Sequence, residues 1–447
     1  MRPFVECSSA LPRAPSLLGG EGRMGGMGMG KRSRWTLGMA GGLTLALGLG
    51  CGGPPPSEVV ARAQQATGQA GVVVIPAVPL PWSWHPEGPV VNVGPWPTDA
   101  QLDYSAAYDL PALKSVSLDD AYNLWMLDRS NRIGVLPAGE TTVQWASGLG
   151  QAGRGFATTV VCGGAENQAY VGYWADDNPE PYSATPNRPT DPSDGDADVV
   201  QLDPDGQVSL TQHLNIFNSN DHHYNETMRV LACAKVMRGP LKGDLYFATN
   251  HAVTRVRGLE YSDHRHSVWS EKPGGSLMIG YDWAVSITPR GDVLFANDWK
   301  VAMLTPMPPL QSWIDFTATP WKLDTFIPGA GSLADFDYWR ATAQTQDGTD
   351  YFGSKDKGLW RMYAPSRFEK VPGLPTDGIA ALAGTDDGAL YIGTTGGGLW
   401  RMEADHTLTP VDSVPGNNVL QLFYDPTVTP SMLLVLTNAG LTVLRGP

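Results

Sequence analysis

The sequence predicts an all-β fold, a seven-bladed β-propeller of four-stranded antiparallel blades, and three observations carry that prediction. One stretch is written twice, forty residues apart. Asp347-Gly348-Thr349-Asp350-Tyr351-Phe352-Gly353 leads to Gly358-Leu359-Trp360-Arg361-Met362, and Asp387-Gly388-Ala389-Leu390-Tyr391-Ile392-Gly393 leads to Gly398-Leu399-Trp400-Arg401-Met402. Each copy reads as an Asp-Gly turn, a short strand, a second Gly turn and another apolar strand, which at a period near forty is the signature of a propeller blade. Fainter copies recur, with Leu124, Tyr170, Tyr246, Leu294, Tyr351, Tyr391 and Leu433 as markers spaced 46, 76, 48, 57, 40 and 42 residues apart. Seven units suit a closed propeller, and the two long steps imply insertions rather than missing blades.

Each unit divides into strands A to D. In the sixth, A covers Gly378 to Gly384, B Ala389 to Thr394, C Gly398 to Met402 and D His406 to Val411. Alternation is imperfect because inner strands pack against neighbouring blades on both faces and so read as apolar runs. The seventh unit has A (Asn418 to Tyr424), B (Met432 to Leu436) and C (Leu441 to Arg445) but no D. An open edge there is costly, so a strand from before the first unit is expected to complete the blade, from Pro89 to Val93 or from Val72 to Ile75. Closure by side-chain packing alone is the alternative.

Residues 1–50 read as an export signal, with surplus residues ahead of Met24. Lys31, Arg32 and Arg34 precede the apolar stretch Leu37 to Leu49, which ends at Gly50-Cys51. That is a basic region, a short apolar region and a small-residue cleavage site. Thirteen residues are too few to span a bilayer core as a helix. Residues 51–71 read as a tether, 72–99 as a Pro- and Trp-rich extended segment holding the closing strand, and 100–447 as the propeller. Without residues 1–50 the chain keeps 25 basic against 43 acidic residues, a net charge of −18. Such a surface repels nucleic acid and anionic headgroups, so contact with a membrane is expected only through an anchor.

Cys7 falls within the signal and Cys51 at its end, leaving Cys162 and Cys233. These two fall in the A strands of the second and third blades. They form a disulfide in an oxidising compartment or stay as buried free thiols.

Three insertions mark one face. Asp176 to Ala197 lies between B and C of the second blade, Asn215 to Glu226 between D of that blade and A of the third, and Ala318 to Tyr338 between D of the fourth and A of the fifth. B–C and D–A connections emerge together, and loop-borne function is expected there. Asp194, Asp196 and Asp198 alternate as calcium ligands do, but Val199 stands where an EF-hand-type loop needs Gly, so a solvated acidic loop is the better reading. Asp221, His222 and His223 in a D–A connection, with His251 and Asp298 in B–C turns, form the candidate metal or ligand site. Imidazole and carboxylate together suit Zn, Ca or acid–base work. Histidines that cap backbone groups or stand solvated in loops are the better reading of the same residues. No His-Glu-x-x-His, Gly-x-Ser-x-Gly or phosphate-binding glycine loop supports catalysis.

Asp387 to Thr394 with Gly398 to Arg401 resembles the periplasmic propeller repeat of two-component sensor proteins, in which an Asp-Gly turn precedes an aromatic-Ile-Gly-Thr strand and a Gly-Leu strand. Of the lipoprotein signal the ending keeps Gly50 and Cys51, with Gly48 where Leu is usual, and the resemblance implies a lipid on Cys51. The expected function is an exported, lipid-anchored, monomeric propeller that binds a protein or glycan at the bacterial cell envelope. It faces the periplasm or the outside from the outer membrane, with plain secretion as the alternative address. The alternative function is a hydrolase or lyase of lactones or glycans with a metal or His/Asp site on the inserted face.

Overall fold

The computed structural model describes residues 101–103, 110–174, 197–214, 229–250, 253–257, 265–269, 271–272, 276–277, 281–297, 301–306, 321–326 and 339–446. All lie in the unit Pro54–Pro447. They form seven four-stranded antiparallel sheets and one two-stranded ribbon. In order from the channel outward, blade 1 is Leu113–Leu118, Leu124–Asp128, Ile133–Leu136 and Gln144–Ala146; blade 2 is Ala157–Gly163, Gln168–Trp174, Ala197–Leu202 and Val208–Leu214. Blade 3 is Val230–Lys235, Leu245–Thr249, Val253–Arg257 and Arg265–Trp269; blade 4 is Ala284–Ile287, Val293–Ala296, Val301–Pro306 and Trp321–Phe326. Blade 5 is Trp339–Gln344, Asp350–Ser354, Leu359–Ala364 and Arg367–Lys370; blade 6 is Ile379–Gly384, Leu390–Thr394, Leu399–Met402 and Leu408–Pro410. Blade 7 is Val419–Asp425, Met432–Thr437, Gly440–Arg445 and, on its outer edge, Gln101–Asp103.

Closure therefore follows the expected plan with a different strand. Gln101, Leu102 and Asp103 pair with Leu444, Val443 and Thr442, so the closing strand lies after both expected segments. The inner strands close the ring too: Gln421 of blade 7 accepts from Val116 N at 2.8 Å and donates to Val116 O at 3.1 Å. A side-chain amide there does the work of a paired peptide group.

Among the described residues the core consists of seven clusters, one per blade interface. In strand B of blade 1, Leu124 and Met126 pack toward blade 7 while Trp125 and Leu127 pack toward blade 2. Both faces are buried, which explains the apolar run. The motif glycine of strand B has a packing role. At Gly353 and Gly393 an added Cβ would meet Ile379 Cγ2 at 2.4 Å and Val419 Cγ1 at 2.5 Å, the β-branched residues that open the next blade.

The turns explain the rest of the repeat. Asp387 Oδ1 accepts from Thr385 Oγ1 and from Ala389 N, while Gly388 takes φ of 90°. Thr345, Asp347, Gly348 and Thr349 repeat this geometry. Trp360 and Trp400 donate their indole N–H to Lys357 O and Gly397 O, closing the B–C hairpins. Arg401 reaches Asp387 and Glu403, each at 2.7 Å. Burial alone would raise the Asp387 pKa, but its bonds from Thr385 and Ala389 and the Arg401 charge together hold it below the usual carboxylate value.

Two expectations about the insertions change. Trp321–Phe326, read as part of a D–A loop, is strand D of blade 4 and pairs with Val301–Pro306. Asp198, read as part of an acidic loop, lies fully buried in strand C of blade 2.

Candidate binding site at the channel mouth

Inner strands have no fifth strand beside them, and their channel edges borrow partners from the next blade. Ser115 Oγ accepts from Val161 N at 3.0 Å and Ser117 Oγ from Gly163 N at 2.8 Å. Six of the seven inner strands carry a register shift near their start, all except that of blade 4. A bulge leaves a residue unpaired and re-aims its side chain. The displaced residues include Lys114, Thr159, Leu231, Arg340, Ala380 and Leu420, and all six line one recess of about 220 Å³. It opens on the face of the B–C and D–A connections.

Blade 4 lacks the bulge and contributes Trp283 to the same recess instead. Trp283 stacks on Tyr281 with centroids 5.3 Å apart and planes at 16°, and Tyr281 stacks on Trp174 at 6.2 Å. Arg229 lies 4.7 Å from the Trp174 ring centre and donates to the Tyr281 hydroxyl. Arg340 lies over Trp283 at 3.9 Å. The ladder of rings and guanidiniums thus runs from blade 2 to blade 5. A guanidinium over an aromatic face is held there by attraction to the ring's negative face. Across the recess, Lys114 bonds Asn131 at 2.7 Å; burial lowers its pKa, opposed by the Asp128 charge. Among the described residues no Asp or Glu lines this recess.

The other end holds a larger space of about 650 Å³, joined to the recess at a waist that includes Cys233, Thr342, Leu382 and Gln421. Two of its cations are engaged. Lys235 bonds Asp120 at 2.6 Å, and Arg238 of blade 3 crosses the channel to Asp386 of blade 6 at 2.6 Å and to Pro426 O of blade 7. The smaller recess, where the bulged residues converge beside the Trp–Tyr–Arg ladder, is the better ligand site.

Of the sequence-predicted site residues, Cys51, Asp221, His222, His223, His251 and Asp298 lie outside the described residues. Among the described residues no group of three or more His, Cys, Asp or Glu is placed to hold a metal. No helix of the described residues is long and apolar enough to cross a membrane. Cys162 and Cys233 are both free thiols. Cys233 Sγ contacts Val161 O at 3.6 Å, and burial first, then the neighbouring Cys162 sulfur, pushes its pKa well up.

Asp198 is the carboxylate of a different group. It lies 2.9 Å from His213 Nδ1 and accepts from Gln151 N at 2.9 Å. An Asp-oriented imidazole can serve as a base, but this pair acts as a clamp. It holds the 3-10 turn Gly150–Arg154 against blade 2, where a Cβ on Gly150 would lie 1.9 Å from Asp198 Oδ2.

No family model matches the chain, and no curated protein matches it. Solved structures do. Selenomethionine-substituted virginiamycin B lyase from Staphylococcus aureus is 10% identical, over 77% of this chain and 98% of its own, with a TM-score of 0.47. The extracellular domain of a hybrid two-component system from B. thetaiotaomicron is 12% identical, over 76% of this chain and 40% of its own, at 0.48. YCF48 from Cyanidioschyzon merolae is 14% identical, over 77% of this chain and 99% of its own, at 0.49. At such identities, and with TM-scores below 0.5, the likeness extends to the fold alone.

Proposed function

We propose that the chain is an exported, lipid-anchored propeller that binds a ligand or protein partner at the bacterial cell envelope, through the channel mouth on the B–C and D–A face. One observation carries the reading: bulges on six inner strands turn side chains into a single recess, flanked by a stacked ladder of Trp, Tyr and Arg. Repeated backbone irregularities that converge on one point are characteristic of binding sites. Support for the address comes from Lys31, Arg32 and Arg34, the apolar stretch Leu37 to Leu49, and Gly50-Cys51. The net charge favours a neutral, cationic or locally steered partner over nucleic acid.

The test uses full-length protein, purified from membranes in detergent and offered defined envelope glycans, peptides and proteins. Wild type is expected to retain a class of molecule that Trp283→Ala/Arg340→Ala releases, with both forms equally folded by circular dichroism. Identical retention by both, or none by either, refutes a binding function at this mouth.

A further inference from the structure

One side chain crosses the larger space at the other end of the channel. In a ring of seven, blades 6 and 7 are the two that lie furthest from blade 3. Arg238 of blade 3 spans that distance, to the Asp386 carboxylate of blade 6 at 2.6 Å and to Pro426 O of blade 7. We infer that Arg238 and the loop carrying it form a lid across this end of the channel, pinned by Asp386 and released as ionic strength rises. The inference goes beyond the binding reading, which concerns the opposite face, and does not depend on it.

The loop is built for the task. Residues 236–244 join strands A and B of blade 3, nine positions where the other six blades use four to six. Residues 235–241 all line the larger space, so the added length lies over the channel. Its base is tied down. Val236 N donates to Asp244 O and Gly243 N to Val236 O, each at 2.9 Å. Beneath them the buried Lys235 bonds Asp120 of blade 1 at 2.6 Å and donates to Gly164 O of blade 2. The tip is different: Arg238, Gly239 and Pro240 are exposed.

The catch is fixed and the pin is weak. Gln346 of blade 5 donates to the other Asp386 oxygen at 3.0 Å, and the Tyr424 hydroxyl of blade 7 accepts from Asp386 N at 3.2 Å. The Arg238 and Asp386 side chains are 52% and 40% exposed. A charge pair so open to water holds only loosely and is screened by salt, unlike a buried one.

Labelling with a bulky, uncharged maleimide tests the lid, read peptide by peptide by mass spectrometry on full-length protein. Ser286→Cys places a thiol in the larger space, and Ala380→Cys places one in the recess. Arg238→Gln and Asp386→Asn are each expected to speed labelling at Ser286→Cys by about threefold or more, the scale of an exposed charge pair. Neither is expected to change labelling at Ala380→Cys. With Arg238 present, sodium chloride at about 1 M should have the same effect as either variant, and it should add nothing in Arg238→Gln. Asp386→Asn keeps the shape of the catch and removes only its charge, so it carries the test should Arg238→Gln unfold. Unchanged labelling at Ser286→Cys in both variants, or equal acceleration at both thiols, overturns the lid. A salt effect undiminished in Arg238→Gln overturns the pin.

Discussion

Gly393→Ala isolates what the motif glycine contributes. Gly393 lies in strand B of blade 6 at a φ open to any residue, so conformation alone would make alanine the better choice, by roughly 0.5–1 kcal/mol. Geometry reverses the sign. The new Cβ would stand 2.5 Å from Val419 Cγ1, 2.8 Å from Val419 Cβ and 3.3 Å from Ala381 Cβ, against about 3.5–4.0 Å for comfortable carbon contacts. Val419 is buried and opens the inner strand of blade 7, so it yields only by shifting that strand. Overpacking of this kind costs about 1–3 kcal/mol. Val419→Ala alone costs a similar amount by leaving a cavity. The two residues meet at one point, so Gly393→Ala/Val419→Ala is expected to be more stable than the sum of the single losses, by about 1 kcal/mol or more. Urea denaturation of all four proteins, with equal slopes, reads the coupling. Strict additivity, or a Gly393→Ala protein more stable than wild type, would refute the interlock.

Asp119 of the blade 1 turn is pushed up to about 6, chiefly by burial and despite its bonds from Trp125 and Asn123; Asp350 of blade 5 is likewise pushed up to about 6 by burial. A carboxyl raised in the folded state stabilises it fully below the unfolded value and loses that contribution as pH rises through about 6, so each residue adds about 3 kcal/mol at pH 3 that is absent at pH 7. Asp119→Asn is expected to flatten the fall in stability between pH 4 and 6; an unchanged pH profile would exclude the buried carboxyl as its source. Deletion of residues 52–93 should leave melting nearly unchanged, whereas deletion of 52–103 removes the strand paired with Thr442 to Leu444, costs about 2–3 kcal/mol and promotes aggregation; equal melting of the two denies the closing role. Cys51→Ser should release the protein from membranes, and identical fractionation of both forms removes the lipid anchor. Cys162 and Cys233 should label slowly at pH 8 when folded and rapidly in denaturant; two thiols that never label without reductant would establish a disulfide instead.

The fold was legible because its signals are local. An Asp-Gly turn with Thr two residues ahead, as at Thr385 to Gly388, dictates its own hairpin, and strands buried on both faces, as at Leu124 to Leu127, stand out as apolar runs. The closing strand was misplaced because Gln101-Leu102-Asp103 has no apolar run and pairs through its backbone. Trp321–Phe326 was taken for loop since an outer strand needs only one buried face. Asp198 shares the acidic spacing of its neighbours, and only the pairing with blade 2 sets it apart. The recess was invisible for a deeper reason. A bulge is a mismatch between two strands, two residues against one, and nothing in the local sequence around Lys114 or Arg340 records how the partner strand counts.

The Gln421–Val116 bonds join residues 305 positions apart. A ribosome delivering this chain from its first residue makes the inner strand of blade 1 early, yet that strand finds its last neighbour only when Val419 to Asp425 has emerged. Until then blade 1 has one flank uncovered, while blades 2 to 5 are already covered on both sides. A stop just before Val419 denies blade 1 its partner, and a stop before Thr442 denies Gln101–Asp103 the strand it pairs with. Loss of Gln101–Asp103 and loss of Thr442–Leu444 therefore have the same outcome, although the two segments are made at opposite ends of synthesis.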